Sequence, residues 1–158
     1  MLIPAAPSVL VAPAASSTGS YTVNWGGVAT ATSYTLERQV NEGGWEVIQD
    51  SAAVSKIETL TINANYHYRV NACNDSGCST FTAINTTVVI LPATIPTNLS
   101  IPSNSTTGAY TVSWSAANHA DDYILQRRLN GGAWSTVALN TTQTSYAEVD
   151  LASGVYDY

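Results

Sequence analysis

The 158-residue chain has the length of one average domain or two small ones, and only 10% of it is charged. Its five cations, Arg38, Lys56, Arg69, Arg127 and Arg128, stand against eleven acidic residues for a net charge of −6, too few and too scattered to neutralise a phosphate backbone, which argues against a nucleic-acid partner. No apolar run approaches the ~20 residues of a membrane helix, and the opening MLIPAAPSVLVAPAA, broken by three prolines and without a basic start, does not read as a signal peptide; membrane insertion is not expected, and an export signal would lie outside this chain.

In chain order, a first strand is expected near residues 8–11, at a sheet edge, because Pro7 and Pro13 cannot donate to a ladder. Tyr21, Val23 and Trp25 alternate with Thr22 and Asn24, the two-residue period of a half-buried strand over 20–25. Further strands are expected at 33–39, 45–49 and near 56–60, with a hairpin turn at residues 41–44 (NEGG), where Gly tolerates positive φ. Tyr66, Tyr68, Val70 and Ala72 alternate with polar residues along 66–73, until the turn formers of 74–77 (NDSG) reverse the chain. A last strand is expected within 79–90, where Thr and Val favour extended backbone. The alternation makes Trp25 the central core residue, met by Tyr34, Leu36, Tyr68 and Val70 from the facing sheet.

Residues 18–25 (TGSYTVNW) return as 107–114 (TGAYTVSW), an offset of 89 residues from Trp25 to Trp114. Tyr34 and Leu36 map on Tyr123 and Leu125, and Trp45 on Trp134. The chain is therefore expected to hold two modules, 1–91 and 92–158, joined by a short linker containing Pro92 and Pro96 that favours an extended tandem. In the second module strands are expected at 109–114, 123–128, 134–139 and near 145–149, with Trp114, Tyr123 and Leu125 in the core. Tyr156 and Tyr158 match Tyr66 and Tyr68, so this module is expected to be incomplete, without most of its sixth strand and without its seventh.

Leu60, Tyr66, Tyr68, Val70, Ala72, Asn74 and Gly77 resemble the signature of a fibronectin type III domain. Ile62 departs from it, standing where that family often has Pro. The resemblance implies an all-β chain of two tandem fibronectin type III-like, immunoglobulin-like β-sandwiches, the second truncated. It also implies a tyrosine corner at Tyr66 and, in the second copy, at Tyr156. The turn between Cys73 and Cys78 is similar to that of modules in bacterial secreted and surface proteins, including multidomain glycan-degrading enzymes and large toxins.

Cys73 and Cys78 flank a four-residue turn and are expected to oppose each other on a hairpin, close enough for a disulfide; a bridge implies an oxidising, extracellular or cell-surface setting. Neither a metal site nor Cys-His chemistry is expected: His67 is six residues from Cys73, about 20 Å along a strand, and His119 lies in the other module. Asp121 and Asp122 read as a solvated loop, since a calcium site needs about six to eight ligands. No cofactor is expected.

Trp45 and Trp134 are candidate ligand-facing residues for a sugar ring, although packing across their own hairpins is favoured. The expected function is non-catalytic: spacer or presentation modules whose partners are other domains of a larger secreted or surface protein. Two alternatives are a carbohydrate-binding or adhesin-type module, with a carbohydrate or protein ligand, and an accessory region of an enzyme or toxin whose catalytic domain lies elsewhere. Mass spectrometry of native protein treated with a thiol reagent should show no addition before reduction and two afterwards; two reactive thiols in air-exposed native protein would refute the bridge.

Overall fold

The computed structural model describes residues 2–158, which form fifteen strands and no helix. They fall into two compact units, Met1–Leu91 and Pro92–Tyr158. The first holds β1 (Leu10–Val11), β2 (Ala15–Ser16), β3 (Ser20–Trp25), β4 (Ser33–Val40), β5 (Trp45–Ser51), β6 (Ser55–Thr59), β7 (Ala64–Asn74), β8 (Gly77–Cys78) and β9 (Asn85–Val89). The second holds β10 (Thr97–Ser100), β11 (Tyr110–Ser115), β12 (Tyr123–Leu129), β13 (Ser135–Thr141), β14 (Ser145–Glu148) and β15 (Tyr156–Asp157).

In the first unit a β1-β3-β6 sheet faces a β2-β9-β7-β4-β5 sheet, with β8 paired to β7. The N-terminal strand differs from the single edge strand expected at 8–11. It is split in two: β1 pairs antiparallel with β3, while β2 crosses to the other sheet and pairs parallel with β9. Pro13 lies at the crossing, and its carbonyl accepts a hydrogen bond from the buried Thr87 hydroxyl at 2.6 Å.

The stretch 79–90 is strand only from Asn85 onward. Before that, hydroxyls take over part of the ladder. Val70 N–H donates to Thr82 Oγ1 at 3.2 Å and Ala72 N–H to Ser79 Oγ at 3.1 Å, while the amides of Thr82 and Ser79 donate back to the carbonyls of Val70 and Ala72. The buried backbone of β7 is thereby satisfied without a regular partner strand.

The alternating side chains of β3, β4 and β7 meet between the sheets. Val23, Leu36, Tyr68 and Val70 are fully buried, and Trp25 and Tyr34 nearly so, with the last two rings edge to face at 6.2 Å. Truncating a buried Trp of this kind costs about 3–5 kcal/mol.

The second unit repeats the motif on a smaller scale, with sheets β10-β11-β14 and β13-β12-β15. Val112, Trp114 and Leu125 are buried, and Trp114 meets Tyr123 at 5.7 Å. Tyr123, expected in the core, is only half-buried. The flank of β12 away from β13 is paired at Arg128 and Leu129 alone, which leaves the Tyr123 end of the strand uncovered. Trp134 precedes β13 rather than opening it.

Two local devices recur in both units. Gly19 and Gly108 adopt φ of 70° and 69°, and their carbonyls accept from Leu60 N at 2.9 Å and Leu151 N at 3.0 Å. A Cβ on either would run into the carbonyl of that leucine. Asn41 and Asn130, with φ of 51° and 50°, act as two-way clasps. Asn41 N–H donates to Asn65 O at 2.7 Å while its Oδ1 accepts from Asn65 N at 3.0 Å. Asn130 does the same with Val155, at 2.7 and 2.9 Å.

A carboxylate lies within each sandwich. Glu58, 4% exposed, pairs with Arg38 at 3.0 Å, and Arg38 also reaches Glu46 at 3.1 Å. Beside them the Tyr21 and Tyr68 hydroxyls are 2.6 Å apart. In the second unit Glu148 pairs with Arg127 at 2.6 Å and accepts from the Tyr158 hydroxyl at 2.8 Å, which in turn lies 2.8 Å from that of Tyr110. Burial pushes the Glu58 carboxyl above its ordinary range, against the opposing pull of Arg38 and Lys56. Burial likewise raises Tyr68 and Tyr158, helped by their tyrosine partners.

A carboxyl whose folded pKa exceeds its unfolded one favours folding most below the unfolded value, and that contribution is lost as pH rises through the folded value. Removing the guanidinium by Arg38→Met should therefore destabilise the first unit by about 3–5 kcal/mol at pH 7, and by distinctly less at pH 4, where Glu58 takes up a proton. Urea denaturation at the two pH values checks this, and a penalty that does not change with pH would contradict it. By the same measurement Asn41→Gly, which keeps the backbone conformation and loses the acceptor, should cost about 1 kcal/mol. Asn41→Ala, which adds left-handed strain, should cost about 1–2 kcal/mol more; equal penalties would show that the backbone conformation contributes nothing.

Candidate functional site

At one end of the first unit β7 and β8 form the hairpin that carries the two cysteines. Cys73 and Cys78 are directly paired and bridged, with Cα atoms 4.0 Å apart. Closing so small a ring stabilises by roughly 2 kcal/mol on the chain-entropy model. Asn74 Nδ2 donates to the carbonyls of Leu2 at 2.8 Å and Thr30 at 3.0 Å, while Thr32 N–H donates to Cys73 O at 2.8 Å. The bridge therefore stiffens a tip that also gathers the N-terminal segment and the loop before β4.

The outer face of the larger sheet carries a cation held between two aromatic rings. The Arg69 guanidinium lies 4.1 Å from the Trp45 centroid and 4.3 Å from that of Phe81, with Nε donating to Glu37 at 2.7 Å. One face of Trp45, which stands opposite Gln39 of β4, is thus occupied by a side chain of β7. In the second unit Arg128, on β12, lies 4.8 Å from the Trp134 centroid and pairs with Asp157 at 2.7 Å. Trp134 remains 47% exposed.

Each tyrosine corner is a hydrogen bond to the carbonyl four residues upstream: Tyr66 to Ile62 at 3.1 Å and Tyr156 to Ala152 at 3.0 Å. A second tyrosine in each unit pins the loop ahead of it. The Tyr34 hydroxyl accepts from Val28 N at 2.7 Å, and that of Tyr123 from Ala117 N at 2.9 Å.

The structure does not assemble the remaining polar candidates into a centre. His67 is hydrogen-bonded to Thr86 at 2.8 Å, Asp121 and Asp122 are exposed, and no three His, Cys, Asp or Glu side chains among the described residues are grouped to hold a metal ion.

Two features were not found by reading the sequence: the Arg–Glu pair inside each sandwich and the asparagine clasps. Their signal was recurrence, since Arg38 and Arg127, Glu58 and Glu148, and Asn41 and Asn130 occupy matching places in the two repeats. The second unit also holds a recess of about 310 Å³ beside β12, lined by Leu99, Trp114, Leu125, Gln126, Trp134 and Tyr158 among others.

No known family profile matches the sequence, nor does any curated protein. Among solved structures the chain is similar to a two-domain fibronectin type III segment of chicken tenascin, with 19% identity over 97% of this chain and 86% of that one and a TM-score of 0.55. It is also similar to the FN1-FN3 domains of chicken CNTN1, at 16% identity, 98% and 58% coverage and a TM-score of 0.46. A Fn3-like protein from Clostridium thermocellum matches at 23% identity, 58% and 96% coverage and a TM-score of 0.45. The chain has the fold of a tandem pair of fibronectin type III domains.

Proposed function

We propose that the chain is a non-catalytic pair of modules that spaces or presents other domains of a larger secreted or cell-surface polypeptide. The observation that carries this reading is the inward turn of its reactive chemistry, repeated in both units. Arg38, Arg69, Arg127 and Arg128 all form ion pairs within their own unit. The buried carboxylates face arginine and tyrosine rather than a cleft. The disulfide supports an oxidising compartment, and the similarity to tandem fibronectin type III domains is a likeness of fold, which fixes no ligand.

A carbohydrate- or adhesin-type binding role is the second reading, and the half-exposed Trp134 is what favours it. The arginine over one face of each candidate tryptophan leaves at most the other face for a sugar to stack on. A glycan array probed with the native chain should give no binding above background. Specific binding that disappears in Trp134→Ala or Trp45→Ala, with the fold intact by circular dichroism, would overturn the spacer reading in favour of the second.

A further inference from the structure

Of the twelve asparagines in the chain, only Asn130 is followed by glycine. It lies in the turn from β12 to β13, where it and Gly131 are both exposed and hold φ of 50° and 70°. The space around Gly131 is open: a Cβ built on it would meet nothing within 4 Å. Asn130 N–H donates to Val155 O at 2.7 Å and Gly132 N–H to Leu129 O at 2.9 Å, but the Gly131 amide between them has no partner among the described residues.

A backbone nitrogen that follows an asparagine can attack the carboxamide of that residue, and a side chain on the attacking residue hinders the approach. Glycine removes the hindrance. The first unit supplies a matched comparison. Asn41 is exposed, has φ of 51° and makes the same two-way clasp, with Asn65, but it is followed by Glu42.

The clasp also works against the reaction. In the left-handed conformation the next amide nitrogen points away from the asparagine side chain, and Asn130 Oδ1 is held by Val155 N–H at 2.9 Å. Ring closure therefore starts only when that hydrogen bond opens.

We propose that Asn130–Gly131 is a self-modification site, converting to aspartate and isoaspartate through a cyclic imide and guarded by the clasp to Val155. The Gly131 nitrogen gives its proton to solvent and forms a bond to Asn130 Cγ, while the bond from Cγ to Nδ2 breaks and ammonia leaves. Water then opens the imide. Attack at Cγ yields aspartate, whose carboxylate still accepts from Val155 N–H. Attack at the main-chain carbonyl yields isoaspartate, which carries the backbone through the former side chain and dissolves the clasp. Either product adds a negative charge to the turn.

The test is incubation of the full 158-residue chain at mildly alkaline pH, native and in concentrated urea, with aspartate and isoaspartate at each position followed by peptide mapping. Conversion at Asn130 is expected to exceed that at Asn41 by at least about tenfold in both conditions, about 1.4 kcal/mol in barrier. At Asn130 the native chain should convert about tenfold or more slowly than the chain in urea, because the clasp must open first. Equal rates at Asn130 and Asn41 in either condition overturn the site, and equal native and urea rates at Asn130 overturn the guard. Hydrogen exchange at the Val155 amide should stay slow in Asn130→Asp and become fast in the purified isoaspartyl chain; equal protection in the two would overturn the loss of the clasp.

Discussion

Each sandwich encloses a glutamate, and a carboxylate taken out of water is costly unless other groups answer it. For Glu58 the answering group is Arg38, with the Tyr21 and Tyr68 hydroxyls bonded to each other alongside. These four side chains come from β6, β4, β3 and β7, two strands from each sheet. The arrangement holds only in one register. Because successive side chains point to opposite faces, a one-residue slip of β6 along β3 would send Glu58 outward and leave the Arg38 guanidinium facing apolar neighbours. The apolar core around Trp25 supplies most of the driving force, but aliphatic packing tolerates exchange, and the polar group inside it does not. The second unit has the same wiring, tightened by a direct bond from Tyr158 to Glu148.

The strands with strict two-residue alternation, β3, β4, β7, β11 and β12, were legible because one buried face imposes that period on the sequence. The cysteine pair was legible because a short turn leaves its flanking residues no choice of partner. The sheet crossing at Pro13 was not. A proline shows where a ladder bond is missing, not which sheet the chain joins next. Nor was the stretch before β9, where Ser79 and Thr82 hydroxyls stand in for backbone partners, since a Thr-rich run reads equally as strand. A glutamate in a strand ordinarily faces water, and nothing in the neighbouring residues marks Glu58 as an exception. Its inward direction depends on Arg38, twenty residues earlier in the chain, and local periodicity holds no record of that pairing.

The tryptophans beside the two hairpins show how the same residue acquires different surroundings. Trp45 and Phe81 hold Arg69 between them, and Glu37 completes a half-buried group on the outer sheet face. Trp134 has a cation on one face only and borders the recess next to β12. Arg69 is thus held by two rings and a carboxylate, whereas Arg128 is held by one ring and Asp157.

The split N-terminal strand has a mechanical side. β2 runs parallel to β9, held by the amides of Val88 and Ile90 on the carbonyls of Ala14 and Ser16, each at 3.0 Å. β1, held to β3 in the other sheet, precedes β2, so a pull from the N-terminal side acts at the start of β2 only once β1 is freed, while a pull from the C-terminal side acts at the end of β9. Tension drawn between those two points pulls the parallel strands past each other along their length, so that their hydrogen bonds share the force and must fail together. Had the pair been antiparallel with its ends adjacent, the same tension would have opened it one bond at a time.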